Sequence, residues 1–241
     1  MTQRAYKAIF FDLDGTLLPI DMDDFIKAYF GALRTFAQAR GFDPDTFLAA
    51  LLAGTHAMTE EGAGTNADRF WSVFEERAGV PADTLHELLD EYYRTSFDDL
   101  GALCAPAPDA ARAVAALKAK GYPLYLTTMP LFPLIAVEKR LAWAGIPADA
   151  FERITVYDNS TSTKPHLAYY RENVAAAGVD AHDILMVGNN TREDLAALEL
   201  GLDGYLVTDW LLDPDGYDLS TVRHGSLADF ARFAESLPEC E

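Results

Sequence analysis

The chain has 241 residues, enough for one large domain or one domain with a smaller insert. Half of the residues are hydrophobic and 12% are aromatic, ample material for a packed core, which excludes a disordered chain. Nineteen basic residues stand against 38 acidic ones, a net charge of −19 that opposes nucleic-acid backbones and leaves any phosphate site dependent on local positive charge.

Lys7 to Asp12 is a short apolar run ending in Asp-Leu-Asp-Gly, which predicts a buried strand of a parallel sheet entering a tight turn. From Asp21 to about Phe97 the pattern turns helical. Phe25, Tyr29, Leu33 and Phe36 form one stripe, and Leu85, Leu88, Leu89 and Tyr92 another. Thr55 to Asn66, with Gly62 and Gly64, reads as a loop or helix break.

After Pro106 and Pro108, strands and helices alternate. Helices are predicted over Asp109–Lys120, Leu134–Ala144, Leu167–Ala177, Arg192–Leu200 and Leu227–Leu237. Strands are predicted over Pro123–Thr128, Ile154–Val156, Ile184–Val187 and Tyr205–Val207. This alternation means βαβ units on a parallel sheet. The expected fold is α/β: a Rossmann-like parallel sheet with helices on both faces, formed by residues 1–19 and 103–241, plus an all-helical insert over residues 20–102. Leu18-Pro19-Ile20 and Ala105 to Pro108 would be the hinges.

The two cysteines, Cys104 and Cys240, sit in no CxxC pair or Cys/His array, as expected in a reducing compartment. No secretory signal opens the chain, because Asp12 interrupts the first apolar run too early, and Tyr122 to Val137 carries three prolines and is too short for a bilayer span. The expectation is a cytoplasmic protein with no membrane or nucleic-acid partner, a monomer or a homodimer.

Ligands of open parallel sheets bind at the carboxyl ends of the strands, and four groups fall at such ends. Asp12-Leu13-Asp14-Gly15-Thr16 places two carboxylates two residues apart, a costly juxtaposition that a divalent metal or a shared proton resolves. The plainer alternative is a solvated turn with a helix cap. Thr127-Thr128 closes the second strand, where a hydroxyl can bond a phosphoryl oxygen, although threonine is common at strand ends. Lys164, before Pro165, offers a compact charge for phosphate, or is a surface lysine. In the run from Gly188 to Asp194, either the side chains cap the next helix or they form a second oxygen-ligand loop facing the first.

Taken together and in this order, the four groups resemble the motifs of the haloacid dehalogenase superfamily. Asp12, Asp14, Gly15 and Thr16 match its DxDGT motif, Thr128 its strand-end hydroxyl, Lys164 its basic residue, and Gly188 to Asp194 its GDxxxxD motif. The insert lies where that superfamily places a helical C1 cap. The resemblance implies a magnesium-dependent phosphohydrolase acting on a small phosphorylated metabolite. Asp12 would be the nucleophile, Asp14 the acid and base, and Thr128 and Lys164 the holders of the phosphoryl group. Gly15, Thr16 and Met129 would line the phosphate site. Magnesium would sit on Asp12, Asp14 and Asn189, with Asp194 behind it or compensating as a ligand. An acid at position 14 argues for phosphoryl chemistry over dehalogenation, since a halide leaves without a proton. Two departures are visible: Asn189 replaces an acidic residue, and Met129 stands where many members have asparagine. They keep a non-catalytic phosphate binder open beside the phosphatase reading, with a phosphomutase-like transfer as a third.

Overall fold

The structure is a computed structural model that describes residues 6–240. Six strands form a single, entirely parallel sheet: β1 (Ala8–Phe11), β2 (Leu124–Leu126), β3 (Arg153–Ile154), β4 (Ile184–Gly188), β5 (Asp203–Val207) and β6 (Arg223–Gly225), in the order β3-β2-β1-β4-β5-β6. The chain leaves β1 toward β2 on one side and returns to β4 on the other. β1 is therefore the switch point, and its carboxyl end is where a ligand of such a sheet binds.

The alternation of side chains along β1 explains why both faces must be covered. Ile9 and Phe11 enter the larger core, with Leu185 and Val187 of β4, beneath α5 (Pro108–Ala119), α6 (Leu134–Trp143) and α8 (Leu227–Ser236). Ala8 and Phe10 enter a second core, with Ile184 and Met186, beneath α7 (Leu167–Ala177).

Between β1 and β2 the chain inserts α1 (Met22–Ala39), α2 (Pro44–Thr59), α3 (Asn66–Ala78) and α4 (Ala82–Thr95), followed by a 3-10 segment over Phe97–Leu103. Each of the first three starts on a side-chain cap: Asp21 for α1, Asp43 for α2, and a reciprocal Thr65–Asp68 capping box for α3. Their buried stripes interlock through Phe25, Tyr29, Tyr92 and Phe97, an aromatic cluster that extends onto Phe132 and Trp143 beyond β2. The two linkers meet at a single bond, Ala105 N–H to the Pro19 carbonyl, 3.2 Å.

Some boundaries differ from the sequence pattern. The break expected over Thr55–Asn66 is shorter, because α2 continues to Thr59. The helix expected over Arg192–Leu200 is reduced to a 3-10 segment at Leu195–Leu200, after a turn that Asn190 caps by accepting from Arg192 and Glu193 N–H. The third strand is Arg153–Ile154 rather than Ile154–Val156, and the edge strand β6 was not foreseen in the polar run Arg-His-Gly. No described helix is long and apolar enough to cross a membrane.

Candidate active site

The carboxyl end of β1 delivers Asp12 beside the ends of β4 and β2: Asp12 N–H bonds Val187 O at 2.9 Å, and Thr127 N–H bonds Phe11 O at 2.7 Å. A tight turn follows, closed by Leu17 and Leu18 N–H on Leu13 O. Gly15 sits in it at φ +80°, and a Cβ there would lie 2.2 Å from Asn189 Nδ2. Left-handed backbone and close approach both demand glycine.

Lys164 reaches the site from the loop ahead of α7. It is 4% exposed, and its Nζ lies 2.8 Å from Asp12 Oδ1 and 2.6 Å from Asp194 Oδ1. Burial alone would lower its pKa, but the two carboxylates outweigh burial and hold it well above the ordinary lysine value. The ammonium is a permanent charge at any physiological pH.

Asp194 has both oxygens committed, since Oδ2 accepts Asn189 and Asn190 N–H at 2.9 Å each. It thereby anchors the lysine and shapes the loop after β4. Gly188 allows this approach: a Cβ there would lie 2.2 Å from Asp194 Cγ. Thr16, 1% exposed, donates toward Asp12 Oδ2 at 3.0 Å and Asn189 Oδ1 at 3.1 Å. Asn189 also donates to the Trp210 carbonyl at 2.7 Å.

Thr128 ends the neighbouring β2 segment. Its carbonyl is held by Thr155 Oγ1 and Tyr169 Oη at 2.9 and 2.8 Å, while its own Oγ1 is buried with no partner among the described residues. A buried hydroxyl without a partner is costly, and a ligand oxygen beside it would offset that cost. Met129 follows, half-buried, on the loop running to Pro133.

Asp14 pairs with a second cation. Its Oδ2 takes Arg140 Nη1 at 2.5 Å, and its Oδ1 is buried without a partner. Burial raises its pKa above the ordinary carboxylate value, Arg140 pulls against that, and Asp12 adds to it. The sequence reading missed Arg140. The signal was there: on the buried stripe Ala136, Val137, Arg140, Leu141 of α6, it is the one charged residue. The guanidinium stacks over Phe132 at 4.4 Å.

Among the described residues no three His, Cys, Asp or Glu side chains converge on one point. The donor set still suits a hard cation that needs few protein ligands. Asp12 Oδ2 and Asn189 Oδ1 converge on a single donor, the Thr16 hydroxyl, whose one proton cannot serve both. Three aspartates here, Asp12, Asp14 and Asp194, also outnumber the cations Lys164 and Arg140. Magnesium keeps several waters and accepts one or two carboxylates, so this set fits it. A cleft of ≈ 470 Å³ opens beside Asn189, between the first linker and the loop after β5, with Ile20, Trp210 and Leu212 in its walls.

Among polar residues of the insert, Arg69 is half-buried at the junction with the core, whereas His56 and Arg94 are exposed, Arg94 paired with Asp90; half-buried Thr59 bonds the His56 carbonyl.

The chain resembles known proteins over nearly its whole length. It is 29% identical over 204 residues to a phosphoglycolate phosphatase of Yersinia pseudotuberculosis serotype I (strain IP32953), covering 82% of this chain and 79% of that one. It is 27% identical over 206 residues to one of Caulobacter vibrioides (strain ATCC 19089 / CIP 103742 / CB 15), covering 83% and 78%. The fold matches a crystal structure of a HAD phosphatase from Thermococcus onnurineus at TM-score 0.59 and 19% identity, over 96% of this chain and 99% of that one. It also matches L-2-haloacid dehalogenase from Xanthobacter autotrophicus at TM-score 0.55 and 17% identity, over 96% and 99%. The model of the haloacid dehalogenase-like hydrolases matches residues 6–201, and the chain belongs to that family.

Proposed function

We propose that this chain is a magnesium-dependent phosphatase that hydrolyses a small phosphorylated metabolite through a phosphorylated Asp12. One observation carries the reading: Asp12 is paired with a buried lysine at the switch point, with the unpartnered Thr128 hydroxyl at the end of the adjacent strand. A carboxylate nucleophile needs positive charge to approach an anionic phosphoryl group, and Lys164 supplies it.

In the first half-reaction an Asp12 oxygen bonds to phosphorus, the bond to the leaving oxygen breaks, and Asp14 gives that oxygen a proton. In the second, Asp14 takes a proton from water, the water oxygen attacks phosphorus, and Asp12 is released with inorganic phosphate. Thr128 and Lys164 hold the non-bridging oxygens throughout. Asp12, the Asp14 main-chain carbonyl and Asn189 would hold magnesium, which when bound would supply further neutralisation of phosphate charge. Residues 20–102 serve as a cap over a core of residues 1–19 and 103–241, excluding water during the reaction. The two relatives named as phosphoglycolate phosphatases put 2-phosphoglycolate first among substrates to try.

The test is phosphate release from p-nitrophenyl phosphate and 2-phosphoglycolate, with and without magnesium, in the parent and in Asp12→Asn. The expected result is metal-dependent turnover that falls by roughly 10³-fold or more in the variant. Asp12→Asn leaves Lys164 paired with Asp194, so the variant stays folded and a loss of turnover reads chemistry. A folded parent with no turnover on any phosphate ester would favour a phosphate-binding protein instead.

A further inference from the structure

We infer that Asn66, on the helical insert, is a positioning residue that sets where both Thr128 and Lys164 stand. The kinetic part of this inference rests on the phosphatase reading; the structural part does not.

Asn66 is the first residue of α3 and is fully buried. Its Nδ2 donates to the Pro130 carbonyl at 3.1 Å and to the Ser162 carbonyl at 3.1 Å. Pro130 lies two residues beyond Thr128, and Ser162 two residues before Lys164. An amide nitrogen carries two hydrogens, and here each goes to a different loop of the site. The orientation is not interchangeable, because Oδ1 accepts from Arg69 Nη2. Turning the amide over would set donor against donor and leave both carbonyls unmet.

The main chain of the same turn follows suit. Asn66 N–H bonds Ser160 O at 2.8 Å, and Ala67 N–H bonds Tyr157 O at 2.9 Å. Arg69 adds a bond to Thr161 O at 3.0 Å. From the opposite side, Glu172 of α7 takes Thr161 N–H and Oγ1 at 3.1 and 2.6 Å. The loop carrying Lys164 is thus clamped between the insert and the core. Main-chain bonds would satisfy the start of α3 by themselves. A side chain that reaches past them to bridge two catalytic loops does more than dock a helix. Any displacement of α3 moves both loops, and misplacing reacting groups by about 1 Å costs about a hundredfold in rate.

The test uses the full chain with Asn66→Ala, Asn66→Ser and, as a control, Arg34→Ala, which breaks an exposed pair with Asp45 within the insert. Two readouts are taken: magnesium-dependent hydrolysis of p-nitrophenyl phosphate, and amide hydrogen exchange. In Asn66→Ala, kcat should fall roughly ten- to hundredfold with KM changed by no more than about threefold. Amides of residues 129–133 and 157–163 should exchange faster, with the strands unchanged. Asn66→Ser keeps one donor, should fall between, and takes over the test if the alanine variant does not fold. A folded variant with kcat within about twofold of the parent, or with both loops exchanging as before, overturns the inference. If the parent itself shows no turnover, the phosphatase reading fails and the exchange readout alone decides whether Asn66 holds the loops.

Discussion

Arg140 Nη1 lies 2.5 Å from Asp14 Oδ2, so the second carboxylate of the DxDGT motif is held by a cation from a helix more than a hundred residues away. Arg140 is 1% exposed, and its Nη2 has no partner among the described residues. The pair is shielded from water, and breaking it from one side strands a charge. Arg140→Ala should destabilise the protein by about 3–5 kcal/mol in urea denaturation, because Asp14 is left buried and uncompensated. Asp14→Asn/Arg140→Met, which removes both charges, should recover more than half of that loss. A double variant no more stable than Arg140→Ala would mean that packing over Phe132, not charge, accounts for the effect.

Glu193 gives the stability a pH dependence of defined sign. Burial raises its pKa from the ordinary 4.5 to about 7; Lys164 pulls it down and Asp194 and Asp12 push it up. The unfolded chain loses this proton near the ordinary value and the folded chain only near 7. Between those values the folded state binds more protons, so the contribution of Glu193 becomes less favourable as pH rises and levels off above about 7. Glu193→Gln should remove that slope and leave the protein more stable at pH 8 by about 1–2 kcal/mol, a value reduced for the partial exposure of the side chain. Parallel melting curves of parent and variant from pH 5 to 8 would contradict it.

Gly15→Ala adds a methyl where the backbone is left-handed and Asn189 Nδ2 would be 2.2 Å away. The variant should lose about 2–3 kcal/mol of stability and push Asn189 off the Trp210 carbonyl. Thermal melting gives the first effect. Weaker magnesium activation of whatever protein remains folded gives the second.

Asn189→Asp restores a formal charge beside Asp12. Added ligand charge tightens cation binding, so the magnesium concentration for half-maximal activity should drop by roughly tenfold. The new carboxylate would also face the Trp210 carbonyl, now without a donor, at a cost of about 1 kcal/mol or more. Magnesium titration of turnover, with melting temperature alongside, separates the two. An unchanged half-saturation would place the cation away from Asn189.

The parallel sheet and the helical insert were legible in the sequence because each rests on local pattern, whereas Asp12, Thr128, Lys164 and Asp194 stood out together only through their order, which resembles the motifs of the haloacid dehalogenase superfamily. A short apolar run ending in Asp-Leu-Asp-Gly reads as a strand and turn wherever it occurs, and period-3.6 stripes mark helices without reference to neighbours. Asp194 was legible as a member of the site, but not its hold on Lys164 and two backbone amides. The bond to Lys164 connects loops 30 residues apart in the chain.

By itself, then, the sequence determined the fold class, the place of the insert and the residues at the strand ends, since periodicity and turn chemistry act over a few neighbouring residues. Only the tertiary structure decided that Arg140 pairs with Asp14, and that Asn66 donates to the loops ahead of Lys164 and behind Thr128. A buried arginine and a buried asparagine take their meaning from the partners that satisfy them, and those partners come from distant segments that meet only when the sheet and insert close together.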